Sequence, residues 1–191
     1  MNMNKIRFGT KEIIASVVGT MLFAGIRILE DYLLSKGIIQ PEIAVWIGLG
    51  VPVLATVAVF FGPVCSVLCA IGGELISRAI LGTSVRYLEL FTLGLYGLLI
   101  GLFFGKLHNR DYRFGIREVI DFNVIQMLAG IICGMFILPL GQFMIDGRGI
   151  NEAIVTGGKK TVGISVTVGV ILSVAMFIVS LVTSGRKYRD T

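Results

Sequence analysis

Six apolar runs, separated by short polar or charged stretches, organise this chain. An α-helix needs roughly 20 predominantly apolar residues to cross the hydrocarbon core of a bilayer. By that measure the pattern predicts six transmembrane helices, at about 12–34, 44–61, 64–81, 87–105, 119–140 and 161–182. Pro52 should kink the second helix, and Gly62-Pro63 makes a tight turn into the third. The first run continues past the length of a signal-peptide core and lacks an A-x-A-like cleavage site, so it is expected to persist as a helix. There is no internal repeat and no hydrophilic stretch long enough to fold as a soluble domain. The expected architecture is one all-α membrane domain covering 1–191.

Composition supports the bilayer as solvent. Of 191 residues 55% are hydrophobic and only 15% charged, against about 25% charged in soluble domains. Many of the 25 glycines are spread through the apolar runs, where they let helix backbones approach closely. The net charge of +5 sits in short basic clusters between runs, a pattern of membrane orientation rather than of nucleic-acid binding. With six spans both termini share a side, and that side carries ten Lys and Arg residues against seven on the other. Both termini are therefore expected in the cytoplasm. The longer, mixed-charge connections around 35–43, 82–86 and 141–160 then lie outside, which is where a polar solute would be met.

The motifs of common enzymes are missing. There is no G-x-x-x-x-G-K-[ST] to cradle ATP, no H-E-x-x-H and no G-x-S-x-G, and the single histidine, His108, lies in a basic loop. Cys65, Cys69 and Cys133 sit in apolar runs without further metal ligands, so no metal or other cofactor is expected.

Ionisable residues inside or at the mouth of a membrane bundle are costly unless paired or wet, and so point to sites. Glu74 and Arg78 stand at i,i+4 in the favourable order, either as a mutually neutralised pair that locks the bundle or as ligands of a solute. Arg27 with Glu30 and Asp31 repeats the pattern on helix one, as an interfacial anchor or a solute contact. Trp46, Tyr87, Phe91 and Tyr96 gather at the same level, as belt anchors or as faces for a flat heterocycle. The candidate solute contacts are Arg27, Trp46, Glu74, Arg78, Arg86, Tyr87 and Tyr96, with Gln142 as a further one. Asn123 and Gln126 read as interhelical glue near the cytoplasmic end. Small residues spaced by four, Ala15 and Gly19 on helix one and Gly97, Gly101 and Gly105 on helix four, mark close helix packing. On helix one that packing could be against a separate subunit.

Taken together, several stretches resemble a known family: Ile14-Ala15-x-x-x-Gly19, Phe61-Gly62-Pro63-Val64 leading to Gly72-Gly73, Gly94 to Lys106 ending in a basic loop, and Phe122-Asn123-Val124-Ile125-Gln126. They resemble the substrate-binding S component of energy-coupling factor (ECF) vitamin transporters, most of all the branch labelled ECF-type riboflavin transporter S component. The resemblance implies a six-helix fold with a vitamin site near the outer face. It implies that the Ala15 and Gly19 face docks on a transmembrane scaffold subunit driven by two ATPases, and that the S component topples to carry solute inward. Riboflavin and cobalamin lead the expected substrates. The chain departs from the branch at Glu74 and Arg78, where His and Lys are expected, and at Arg86-Tyr87, where a Trp pair often stands. A stand-alone secondary transporter or channel is the competing reading; it should show an inverted repeat or broken helices, for which Pro52 is the one hint.

Overall fold

A computed structural model of the chain describes residues 9–38, 50–107, 116–147 and 149–187. The described residues are almost entirely helical, with no strand among them: α1 (Thr10–Ser35), α2 (Val51–Phe61), α3 (Pro63–Leu81), α4 (Tyr87–Leu107), α5 (Ile116–Gly130), a π-helical segment (Ile131–Ile137), α6 (Leu138–Asp146) and α7 (Ile150–Lys187). α5, the π segment and α6 run on without a break as a single long rod.

Local chemistry sets several of the boundaries. Glu12 turns back to accept the Gly9 N–H at 3.0 Å and closes the start of α1. Gly62 alone separates α2 from α3, at φ +96°, a left-handed backbone that a side chain would strain. Pro63 then occupies the first turn of α3, where its missing N–H costs nothing. Pro139 stands two residues beyond the end of the π segment, in the first turn of α6. A proline ring crowds the carbonyl four residues back, and the wider π spacing relieves that crowding without ending the rod.

Five of the described helical stretches are long and apolar enough to cross a membrane: Thr10–Ser35, Pro63–Leu81, Tyr87–Phe104, Ile116–Ile145 and Ile150–Met176. α2 has 11 described residues; the remainder of the run expected from 44, including Trp46, lies outside the described residues.

Burial is distributed as a membrane demands. On α1 the small Ala15, Ser16 and Gly19 are buried while Ile14, Val18, Met21 and Leu22 are exposed. A soluble helix would bury its large apolar side chains; here lipid can solvate them, and the small face serves helix packing. This is a multi-pass membrane protein.

α1 packs most closely on α3, and α3 in turn on α4 and α2; α7 packs on α5, the π segment and α6. One apolar cluster joins Phe23 and Leu54 to Cys65 and Cys69, between α1, α2 and α3. A larger one joins Ile100, Phe104, Phe122, Leu172 and Met176, with the rings of Phe104 and Phe122 edge to face at 5.8 Å. Gly97 and Gly101 let α4 lie directly on Ser66 and Pro63 of α3, so the helix-four stripe packs within the chain.

Candidate functional site

The charged residues of α1 and α3 form one connected network. Glu74 is fully buried, and both its carboxylate oxygens are taken: Arg78 Nε donates to Oε1 at 2.8 Å and Arg27 Nε to Oε2 at 3.3 Å. Arg27 Nη1 reaches Glu30 at 3.1 Å, and Arg78 Nη1 reaches Asp31 at 3.5 Å and the Thr83 hydroxyl at 3.3 Å. The order is therefore Glu30–Arg27–Glu74–Arg78–Asp31, three carboxylates around two guanidinium groups. Within a membrane bundle each buried charge is tolerated because the others neutralise it.

Phe23 and two glycines hold Arg27 in place. Phe23, one turn before Arg27, is fully buried against Gly73 and Gly50, where a Cβ would collide with its ring. Arg27 is thereby fixed in the wall of a cavity of about 80 Å³. That space is large enough for several waters or a small ring.

The cavity lies in the half of the bundle away from the start of α1 and the end of α7. α4 contributes Glu89, Thr92 and Tyr96, which share one face at spacings of three and seven residues. Tyr96 is buried, and its hydroxyl is directed to Gln126 Oε1 at 3.5 Å. The opposite wall comes from the end of α5, the π segment and α7, through Gly130, Cys133, Gly134 and Thr161. There the helices touch through glycine: a Cβ on Gly157 would strike the backbone carbonyl of Gly134. Thr161 donates to the Gly130 carbonyl at 3.3 Å, where α spacing gives way to π.

Below the cavity, neutral hydrogen bonds join the rods. Gln126 Nε2 donates to the Ser165 carbonyl at 3.0 Å, and Asn123 Nδ2 to the Ser173 hydroxyl at 3.0 Å. Ser165 Oγ is buried without a partner among the described residues.

Of the residues singled out in the sequence, Arg27 and Tyr96 line this cavity. Glu74 and Arg78 stand behind Arg27 rather than on the wall. Arg86 and Tyr87 begin α4 at the surface: Tyr87 is 78% exposed and Arg86 pairs with Glu89 at 3.2 Å. Gln142 lies on α6, part-exposed and off the lining. Ala15 and Gly19 turn toward the chain's own interior, where a Cβ on Gly19 would meet Val57 and Cys69.

Sequence reasoning missed Glu89, Thr92, Thr161 and the glycine wall. Glu89 and Thr92 carry a signal, being polar residues on the Tyr96 face of α4; the π segment carries only the faint one of Pro139. Among the described residues no group of His, Cys, Asp or Glu is arranged to hold a metal ion.

An all-helical membrane bundle with an internal cavity lined by a few polar groups defines a solute-handling membrane protein rather than a lipid-facing scaffold. The family follows from comparison: residues 36–181 match the model of the ECF-type riboflavin transporter, S component, and the chain belongs to that family. It is also similar to UPF0397 proteins of streptococci. The Streptococcus gordonii protein is 29% identical over 163 residues, 85% of this chain and 84% of the relative. The Streptococcus sanguinis protein is 28% identical over 166 residues, 87% and 88% of the two chains. No solved structure matches the chain significantly.

Proposed function

We propose that this chain is the solute-capturing subunit of an ECF importer. It takes a water-soluble vitamin at the outer face, with both termini cytoplasmic, and delivers it inward together with a transmembrane scaffold subunit and two ATPases. The observation that carries this reading is the cavity in the half away from the start of α1 and the end of α7, charged on its α1 and α4 side and lined by glycine and hydroxyl on the other. Arg27 and Tyr96 contact the solute directly in this reading, and Trp46, which lies outside the described residues, is a further contact proposed from the sequence alone. Glu74 and Arg78 act through Arg27 by fixing its position, while Arg86, Tyr87 and Gln142 serve at or near the mouth.

Ligand pockets commonly run to roughly 300–1,000 Å³, so a cavity of about 80 Å³ holds one small ring and must widen to take a whole vitamin, least for the smaller ones. That favours riboflavin, which the family's name also suggests, over the much larger cobalamin. Calorimetry on the purified chain against a panel of vitamins tests the reading, with one tight ligand at one-to-one stoichiometry expected. Uptake by the chain alone in proteoliposomes, without scaffold or ATPases, would instead establish a stand-alone transporter.

A further inference from the structure

We infer that Gln126, which is not part of the cavity lining, is a positioning residue for solute capture: by accepting the Tyr96 hydroxyl hydrogen it fixes the Tyr96 ring on the wall. This rests on the capture role proposed above and adds to it a residue that stands behind the wall.

Gln126 lies on α5, is only 3% exposed, and bonds to two neighbouring helices at once. Its Nε2 donates to the Ser165 carbonyl of α7 at 3.0 Å. A carbonyl oxygen only accepts, so the amide nitrogen must face α7 and Oε1 is left facing α4. The Tyr96 hydroxyl, 3.5 Å from Oε1, is therefore the donor of that bond. The α7 backbone thus dictates how the amide is turned, and the amide dictates where the end of the Tyr96 side chain lies. Gly169, one turn beyond Ser165, leaves room for this arrangement: a Cβ there would lie 3.4 Å from Gln126 Nε2 and collide with Asn123 Oδ1. Joining α5 to α7 does not by itself require Gln126, since Asn123, about one turn earlier, already donates to the Ser173 hydroxyl of α7. What Gln126 adds is the reach to α4.

Tyr96 lines the cavity, so its ring meets the solute while its hydroxyl meets protein. The ring belongs to the apolar cluster that includes Val51, Ile100 and Cys133, and apolar contact is non-directional. On the wall opposite α4, Gly130 and Gly134 present no side chain to stop the ring from tipping inward. A tyrosine released at its hydroxyl end can turn about its side-chain torsions into a cavity of about 80 Å³, which one small ring occupies. The bond to Gln126 keeps the ring on the wall and the cavity open.

The test uses the full chain in detergent, labelled with fluorotyrosine and read by fluorine NMR. Of the five tyrosines, the Tyr96 resonance is the one lost in Tyr96→Phe. Gln126→Met keeps the length of the side chain and removes both of its hydrogen bonds. In ligand-free protein it is expected to shift and broaden the Tyr96 resonance and to leave the other tyrosines in place. In calorimetry with the vitamin that binds the wild type, Gln126→Met and Tyr96→Phe should each weaken affinity about 10-fold, the order of one lost hydrogen bond. The double variant should be no weaker than either single one, because both break the same link. Thermal unfolding of each variant is measured alongside; if Gln126→Met does not fold, Gln126→Asn, which keeps the amide but falls a methylene short of Tyr96, puts the same question. An unmoved Tyr96 resonance or undiminished affinity in a folded Gln126 variant overturns the inference, and so do losses of affinity that add in the double variant. Absence of binding by any vitamin to the folded wild-type chain removes the capture role instead, and the resonance alone then decides whether Gln126 holds the ring.

Discussion

The two walls of the cavity are held by different kinds of force. On the α1–α3 side, five charged residues are threaded through one buried carboxylate. On the α5–α7 side, glycine contacts and single hydrogen bonds between neutral groups do the joining. Removing one partner from a buried ion network costs about 3–5 kcal/mol, because the remaining charges lose their compensation. A neutral interhelical hydrogen bond in a membrane protein is worth only about 0.6 kcal/mol on average. The charged wall is thus fixed in one arrangement. The neutral wall can slide at small cost, which suits a cavity that must widen around its solute, and the π segment lies in that wall.

The largest break in this comparison is Glu74→Ala. It removes the carboxylate that joins Arg27 to Arg78, leaving each with one partner, Glu30 and Asp31, and with its Nε donor unmet, and is expected to lower stability by about 3 kcal/mol, read as denaturant unfolding in detergent. Solute affinity should fall as well, since Arg27 loses its anchor. Replacing Arg27, Glu30, Glu74 and Arg78 together by Met, Leu, Leu and Met, which leaves only the more exposed Asp31 charged, should recover most of the stability and none of the binding. A mild effect of Glu74→Ala alone would mean that water reaches the network.

On the other wall, Gly157→Ala tests whether contact between backbones sets the spacing. Its Cβ meets the Gly134 carbonyl and lies 3.1 Å from the Pro139 ring. Relief requires moving a helix rather than rotating a side chain, at an expected cost of about 1–3 kcal/mol. Because Gly134 lines the cavity, solute affinity should change too; unchanged stability and affinity would show that α7 is free to move away.

The membrane fold was legible because its signal is periodic and long: apolar runs near span length, with small residues at helix contacts. The pairing of Glu74 with Arg78 was legible for the same reason, since residues four apart share a helix face. That Arg27 completes this network was not, because 47 residues separate it from Glu74 and only the packing of α1 on α3 joins them. The stripe of Ala15 and Gly19 shows the limit in another way. Small residues announce that a helix comes close, and sequence does not say whether that helix belongs to the same chain. Asn123 and Gln126 were readable as polar groups needing partners, yet Ser173 and the Ser165 carbonyl could be named only once α7 was in place.

The smallest expected effect belongs to Ser165→Ala. The hydroxyl oxygen is buried without a partner among the described residues, beside Gly130, whose Cβ would lie 3.2 Å from it. A buried polar group left unsatisfied is a cost, so its removal should leave stability unchanged or raise it by up to about 1 kcal/mol. The Gln126 hydrogen bond survives because it ends on the Ser165 backbone carbonyl rather than on the side chain. Unfolding of the variant in the absence of solute is the measurement. A loss of more than about 1 kcal/mol would mean that the hydroxyl is satisfied in the folded protein by ordered water, and that the neutral wall holds more firmly than its direct contacts suggest.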